Sequence, residues 1–220
     1  CNKWCNMRRE SAFLIVLLII LTVSFSSAIE VQSVKASGTI YIRADGSIDP
    51  TDAPISTVDN VTYTLTGNIT SDDGDALVIE RGSIVVDGQG YTVQGLWGGT
   101  GITFSRASNV TIKNTEVTSF AVGIWFSYSP NYSISGNNIT HNGEGIWLYY
   151  SINGSISGNN ITNNGRGIAL LAGSKYASVS GNNITANDDG IWLAYSINNS
   201  ISGNNITNNK GIGQRDKDSS

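Results

Sequence analysis

Folding the chain back on itself every 22 or 23 residues brings its aliphatic residues into columns. Ile112, Ile134, Ile156, Val179 and Ile201 form one column, and Val117, Ile139, Ile161, Ile184 and Ile206 a second. Ile124, Ile146, Ile168, Ile191 and Ile212 form a third, and Phe126, Leu148, Leu170 and Leu193 a fourth. Between column members stand Ser, Thr, Asn or Trp, so apolar and polar positions alternate with period two over two or three residues at a time. That is strand behaviour, not the 3.6-residue stripe of a helix. The same periodicity is visible as text. SISGNNIT at 133–140 returns at 155–162, as SVSGNNIT at 178–185, and again at 200–207.

A unit of this length with three short strands and glycine–asparagine corners cannot bury its isoleucines alone. Stacked on copies of itself it can, each strand pairing in parallel with its equivalent about 4.8 Å away. The pattern therefore predicts an all-β, right-handed parallel β-helix, a solenoid of about seven coils with a 22–23-residue period. A leucine-rich repeat has a similar period but needs an L-x-x-L-x-L spacing that is absent. In each GNN, the glycine and asparagines suit a left-handed corner, and asparagines repeated at one level can bond from coil to coil. Weaker copies at 61–79, 83–104 and 110–126 carry the array toward the N-terminus, giving repeats over 61–213. Residues 29–60, with the strand-like IYI and the turns ADGS and DPTDAP, are expected to cap the apolar column.

The ends have their own character. Met7, Arg8 and Arg9 precede the apolar run Phe13–Leu21 and the small-residue stretch Thr22–Ala28. This is the pattern of a secretory signal over 1–28, cleaved after Ala28, with residues 1–6 as upstream sequence. An uncleaved N-terminal anchor is the alternative. At the other end, 214–220 is a polar tail too short to cap a coil. A truncated array or end-to-end stacking of chains is expected there.

Composition excludes more than it assigns. The formal net charge is −4 with 14% charged residues, so no basic face for nucleic acid is expected. Both cysteines, Cys1 and Cys5, precede the apolar run, so the exported chain would have neither disulfide nor thiol.

The G-N-N-I-T-x-N-x-x-G-I-W/A-L units and the GTIYIRADGSIDP opening resemble the pectin-lyase-like β-helix superfamily, and within it the NosD-like or CASH-type secreted surface proteins. The resemblance spans about 38–213 and is specific for fold; function must be argued from a site. NosD relatives are associated with copper-enzyme maturation, which would imply copper. Copper favours His, Met or Cys, and His141 is the sole histidine, in a column otherwise filled by Asn163, Ala186 and Asn208. Copper binding is therefore not expected, and no cofactor is assigned.

Three kinds of candidate site remain. Superfamily relatives cleave polysaccharides with carboxylates, and the candidates are Asp72, Asp73 and Asp75, which would also suit calcium, and Asp188 and Asp189. The x of NG-x-G runs Glu144, Arg166, Asp189, Lys210, alternating in sign as cross-coil ion pairs would. Outward positions form two aromatic files, Trp125, Trp147 and Trp192, and Tyr128, Tyr150 and Tyr195, interrupted at Ala169 and Ala172. Exposed aromatic rows mark interaction surfaces and suit sugar rings. Of ten N-x-[ST] sequons, Asn131, Asn153 and Asn198 in the variable stretch are the best glycan acceptors. The expected function is a secreted or cell-surface module that binds a polysaccharide or cell-surface glycan without catalysis. A polysaccharide lyase or glycoside hydrolase and a purely structural surface-layer component are the rivals.

Overall fold

The computed structural model describes residues 36–211 and 214–215, of which 36–37 and 214–215 by backbone only. The segment read as a signal, residues 1–28, lies outside the described residues, as do Cys1, Cys5, Met7, Ile212 and 216–220. Among the described residues there is no α-helix, and all strands fall into three sheets.

Each sheet is one strand position of the repeat, stacked. The SIS sheet runs through Thr62–Leu65, Ile84–Asp87, Val110–Lys113, Ser133–Ser135, Ser155–Ser157, Ser178–Ser180 and Ser200–Ser202, all parallel. The NIT sheet stacks Asn138–Thr140, Asn160–Thr162, Asn183–Thr185 and Asn205–Thr207 below Glu116–Thr118. The GIWL sheet has the longest strands, among them Val122–Ser127, Glu144–Tyr149, Arg166–Leu171 and Asp189–Ala194. Seven parallel levels of the SIS sheet give the seven coils of a parallel β-helix. The registers match the predicted columns: Ile112↔Ile134↔Ile156↔Val179↔Ile201 and Val117↔Ile139↔Ile161↔Ile184↔Ile206 are direct partners. Their interior members from Ile112 to Ile184 are fully buried, forming one continuous apolar column.

Four left-handed corners turn each coil. Gly136, Gly158, Gly181 and Gly203 hold φ of 64–65° at one of them, where a side-chain-bearing residue would be strained. The adjacent asparagines do not share that conformation, contrary to the expectation that all three residues take the left-handed turn. They work through their amides. The first of each pair is buried in all but the last copy: Asn159 Oδ1 accepts from Asn137 N and Nδ2 (both 3.0 Å), and Asn159 in turn donates from N and Nδ2 to Asn182 Oδ1 (3.0 and 2.9 Å). The second lies outside and forms a parallel amide ladder, Asn160 to Asn138 (2.8 Å) and Asn183 to Asn160 (2.8 Å). A second interior ladder links Asn142, Asn164, Asn187 and Asn209. These side chains meet the requirement that buried corner N–H groups find acceptors.

The N-terminal segment is more than a lid. Ala36–Ser37 and Ile40–Ile42 pair in parallel with Ile69–Thr70 and Leu77–Ile79, adding a partial coil. Ile48–Asp49 and Ile55–Thr57 then pair antiparallel on the edges of two sheets and stop the stacking. At the other end, Gln214–Arg215 pairs in parallel with Leu193–Ala194, so the sheet reaches into the stretch expected to be a tail.

Candidate functional site

The outer face of the GIWL sheet is where the coils differ. Its strands alternate, so Ile146 and Leu148 point in while Trp147 and Tyr149 point out. Parallel register places Trp125 beside Trp147, Trp147 beside Ala169, and Ala169 beside Trp192. Trp125 is 40% exposed, while Trp147 and Trp192 are half-buried. Ala169, between them, is fully covered although it points outward. The tryptophan file is thus a partly closed apolar ridge.

The tyrosine file is open. Tyr128, Tyr150 and Tyr195 are 49, 46 and 65% exposed, at the corner that ends each GIWL strand. Their φ values are 52, 48 and 55°, the left-handed region. A bulky side chain there is unusual and costs on the order of 1–3 kcal/mol, where Asn or Gly would be held more cheaply. Two of the other corners use Asn or Gly in most coils and the third mixes Ser119, His141, Asn163, Ala186 and Asn208; this one uses Tyr in three of five. The rings are ordered against each other. Tyr128 and Tyr150 stack with centroids 5.1 Å apart and planes 4° apart. Tyr149 closes on both edge-to-face, at 5.8 and 4.8 Å. Ala172 interrupts the file, and the adjacent Gly173 leaves room for the Tyr150 ring.

A charged row borders the tryptophans. Arg166 bonds Glu144 at 2.7 Å and approaches Asp189 at 3.9 Å, and its guanidinium lies 5.0 Å from the centre of the Trp192 ring. The alternating signs therefore do pair across coils. Lys210 departs from that pattern, reaching Asp188 at 2.6 Å instead of Asp189. Glu144 Oε2 is buried without a protein partner. Burial pushes its carboxyl up to about 7, with Arg166 opposing and Asp189 adding to the shift.

The remaining candidates are dispersed. Asp72 and Asp73 are exposed, and Asp75 spends Oδ1 on the Thr100 N–H at 2.8 Å. No group of three or more His, Cys, Asp or Glu able to hold a metal is gathered among the described residues. The three aspartates thus do not form the ligand set that calcium would need. His141 is exposed, with Nδ1 2.9 Å from Thr140 Oγ1 and no second soft donor beside it among the described residues. The described residues do not fit a copper site. Asn131, Asn153 and Asn198 are exposed corner residues.

Two aromatic contributors escape column reading. Tyr149 shares its column with Ser127, Leu171 and Ala194, so nothing repeats there. Trp97 sits in a longer turn with φ 69° and 64% exposure, at the opposite corner of the same sheet. The signal available for it was its place in GLWGG, one coil above Ser119, whose carbonyl accepts its N–H at 2.6 Å.

Fold and surface together define a parallel β-helix repeat protein with one aromatic outer face. Residues 67–220 match the family described as periplasmic copper-binding protein (NosD), and the chain belongs to that family. A comparison with curated protein sequences finds no match. Among solved structures, the chain is similar to the enzymatically active domain of tailspike protein 2 of bacteriophage CBA120. The identity is 19% and the TM-score 0.45, over 61% of this chain and 24% of that one. It is also similar to full-length tailspike protein 2 from Escherichia coli O157:H7 bacteriophage CAB120, at 16% identity and TM-score 0.34, over 64% and 33% of the two chains. The chain thus spans a quarter to a third of these tailspikes, and likeness at this level carries nothing about activity.

Proposed function

We propose that this chain is a non-catalytic carbohydrate- or surface-interaction module, exported to the envelope or the cell exterior, that holds a polysaccharide along its aromatic face. The observation that carries this reading is the tyrosine file. Three half-exposed rings are kept in a backbone conformation that disfavours them, and two of them are stacked along the helix axis. Strain of this kind persists where a side chain is needed in place. The apolar faces of sugar rings suit such a platform, and the partly covered tryptophans extend it. Affinity electrophoresis through gels containing neutral or acidic polysaccharides tests it. Retardation of the wild type that is lost in Trp125→Ala/Trp147→Ala and in Tyr128→Ala/Tyr150→Ala is the expected result; equal mobility of all three proteins in every gel would sink it.

The buried carboxyl of Glu144, with Asp189 across Arg166, favours a second reading as a glycoside hydrolase or lyase. A general acid needs a raised proton affinity, but Glu144 already engages Arg166. Release of reducing ends by the wild type and its loss in Glu144→Gln would establish this alternative over the first. A purely structural surface-layer role is what remains if neither binding nor turnover is found.

A further inference from the structure

The corner column next to the tyrosines repeats a motif that the aromatic face does not explain. Asn60, Asn109, Asn131, Asn153 and Asn198 occupy equivalent left-handed corners, with φ between 53 and 57°. They stack coil upon coil, Asn109 N donating to Pro130 O, Asn131 N to Ile152 O and Asn153 N to Lys175 O. Each is exposed and begins an N-x-[ST] sequence. The hydroxyl residue of each, such as Ser133, Ser155 or Ser200, lies two positions on, in the SIS strand.

The sequons elsewhere are built differently. Asn138, Asn160, Asn183 and Asn205 form the outer amide ladder. Nδ2 of Asn160, Asn183 and Asn205 donates to the coil before at 2.7–2.8 Å. An amide nitrogen held in that way is not free to react without opening the ladder. Among the described residues, Asn131, Asn153 and Asn198 make no side-chain hydrogen bond that would hold them.

The corner asparagines also keep company with the tyrosines. Tyr128, Tyr150 and Tyr195 each precede an acceptor asparagine by three residues, as Tyr-Ser-x-Asn. The serine between them is buried, while the tyrosine before it and the asparagine after it are exposed. In the 23-residue coil both features vanish together: Ala172 replaces the tyrosine, and Tyr176 stands where the others have the asparagine.

We infer that this column of corners is an N-glycosylation ridge, with Asn131, Asn153 and Asn198 as acceptors and the tyrosine three residues before each covering the first attached sugar. The donor is a lipid-linked oligosaccharide. Asn Nδ2 forms a bond to the anomeric carbon, that carbon's bond to the phosphate oxygen breaks, the amide loses a proton, and the lipid phosphate leaves. Export is required but a free polysaccharide ligand is not; because an attached sugar would sit on the rings of the proposed platform, sequon occupancy read by mass spectrometry and gel retardation of the unglycosylated chain keep failure of this inference apart from failure of the binding function.

The test treats the folded, unglycosylated chain with a single-subunit oligosaccharyltransferase and its lipid-linked donor, alongside tryptic peptides of the same chain. Mass spectrometry reads occupancy at every sequon. In peptides both classes are modified. In the folded chain Asn131, Asn153 and Asn198 are expected to be modified, with Asn160, Asn183 and Asn205 lower by about tenfold or more, since the ladder bond of each reacting amide must first open. Equal occupancy of the two classes in the folded chain overturns the proposal, as do corner sites that stay empty while their peptides react. The tyrosine contact has its own readout: enzymatic deglycosylation lowers the melting temperature of the glycosylated wild type. The same loss in glycosylated Tyr128→Ala/Tyr150→Ala/Tyr195→Ala overturns the contact.

Discussion

The NIT and GIWL sheets are built by the same stacking and differ in what they show to solvent. On the NIT sheet the outward residues are Asn and Thr at the same two levels in four successive coils, and the asparagines bond along the axis. On the GIWL sheet the outward levels read Val122, Glu144, Arg166, Asp189 and Trp125, Trp147, Ala169, Trp192. Where a side chain bonds to its own copy one coil away, the repeat holds it constant. Where it does not, it is free to differ, and there the surface can acquire chemistry. The contrast separates scaffold from site without appeal to any relative.

Breaking the interior ladder gives the largest effect. Asn159→Ala leaves the Asn137 N–H, now bonded at 3.0 Å, without its acceptor and takes from the Ile134 carbonyl the amide it accepts at 2.9 Å. One unsatisfied buried N–H and the amide bonds lost around it should lower unfolding free energy by about 2–4 kcal/mol, measured by denaturant titration. A loss below about 1 kcal/mol would show that the ladder is ornament and that the scaffold rests on isoleucine burial alone.

Next comes the charged row. The Glu144 carboxyl is held at about 7 in the folded chain, against roughly 4.3 when unfolded. Between those values the folded state binds the extra proton, so stability falls as pH rises from about 4.5 to about 7 and then levels off. The amplitude is at most about 2 kcal/mol, given the ion pair with Arg166. Melting temperatures recorded across this range should show the fall in the wild type and a flatter profile in Glu144→Gln; parallel profiles would assign the slope elsewhere.

Smaller still is the tyrosine corner. Tyr150→Asn relieves the left-handed strain and forfeits ring contacts worth about 0.5–1.5 kcal/mol. Stability should stay within about 1 kcal/mol of wild type while polysaccharide retardation falls. A large destabilisation would move Tyr150 from site to scaffold. Last, Asn160→Ala removes a solvent-exposed amide pair and should cost about 0.5 kcal/mol. Thermal melts of this variant beside Asn159→Ala compare the two adjacent asparagines of one GNN directly, outside against inside.

Most of the scaffold was legible because a column of identical residues is itself a record of stacking. Ile134, Ile156 and Val179 had to be neighbours once the period was known, and they are. The different roles of Asn159 and Asn160 were not legible, since both repeat equally well; only the direction of the strand leaving the corner decides which amide turns inward. The tryptophan and tyrosine files could be placed from register, but the left-handed backbone under the tyrosines could not, because nothing in the sequence distinguishes a strand end from a corner. Tyr149 and Trp97 were missed for the complementary reason: neither recurs.

The one extra residue in the fifth coil has a consequence for how such a molecule can change in length. Leu171 pairs with Tyr149, but Ser151 donates its N–H to Ser174 Oγ, so the added residue is taken up between Leu171 and Ser174. All three sheets and both interior amide ladders continue past it without a slip. A whole coil can be duplicated or lost because every contact is to a like neighbour, whereas one residue added within a strand would exchange its inner and outer faces. One tolerated place is the corner beside the tyrosines, as the longer turn around Trp97 is another. Loops, tags or grafted segments inserted between Ala172 and Gly173 would therefore grow outward beside the aromatic face, leaving the stack of coils beneath it undisturbed.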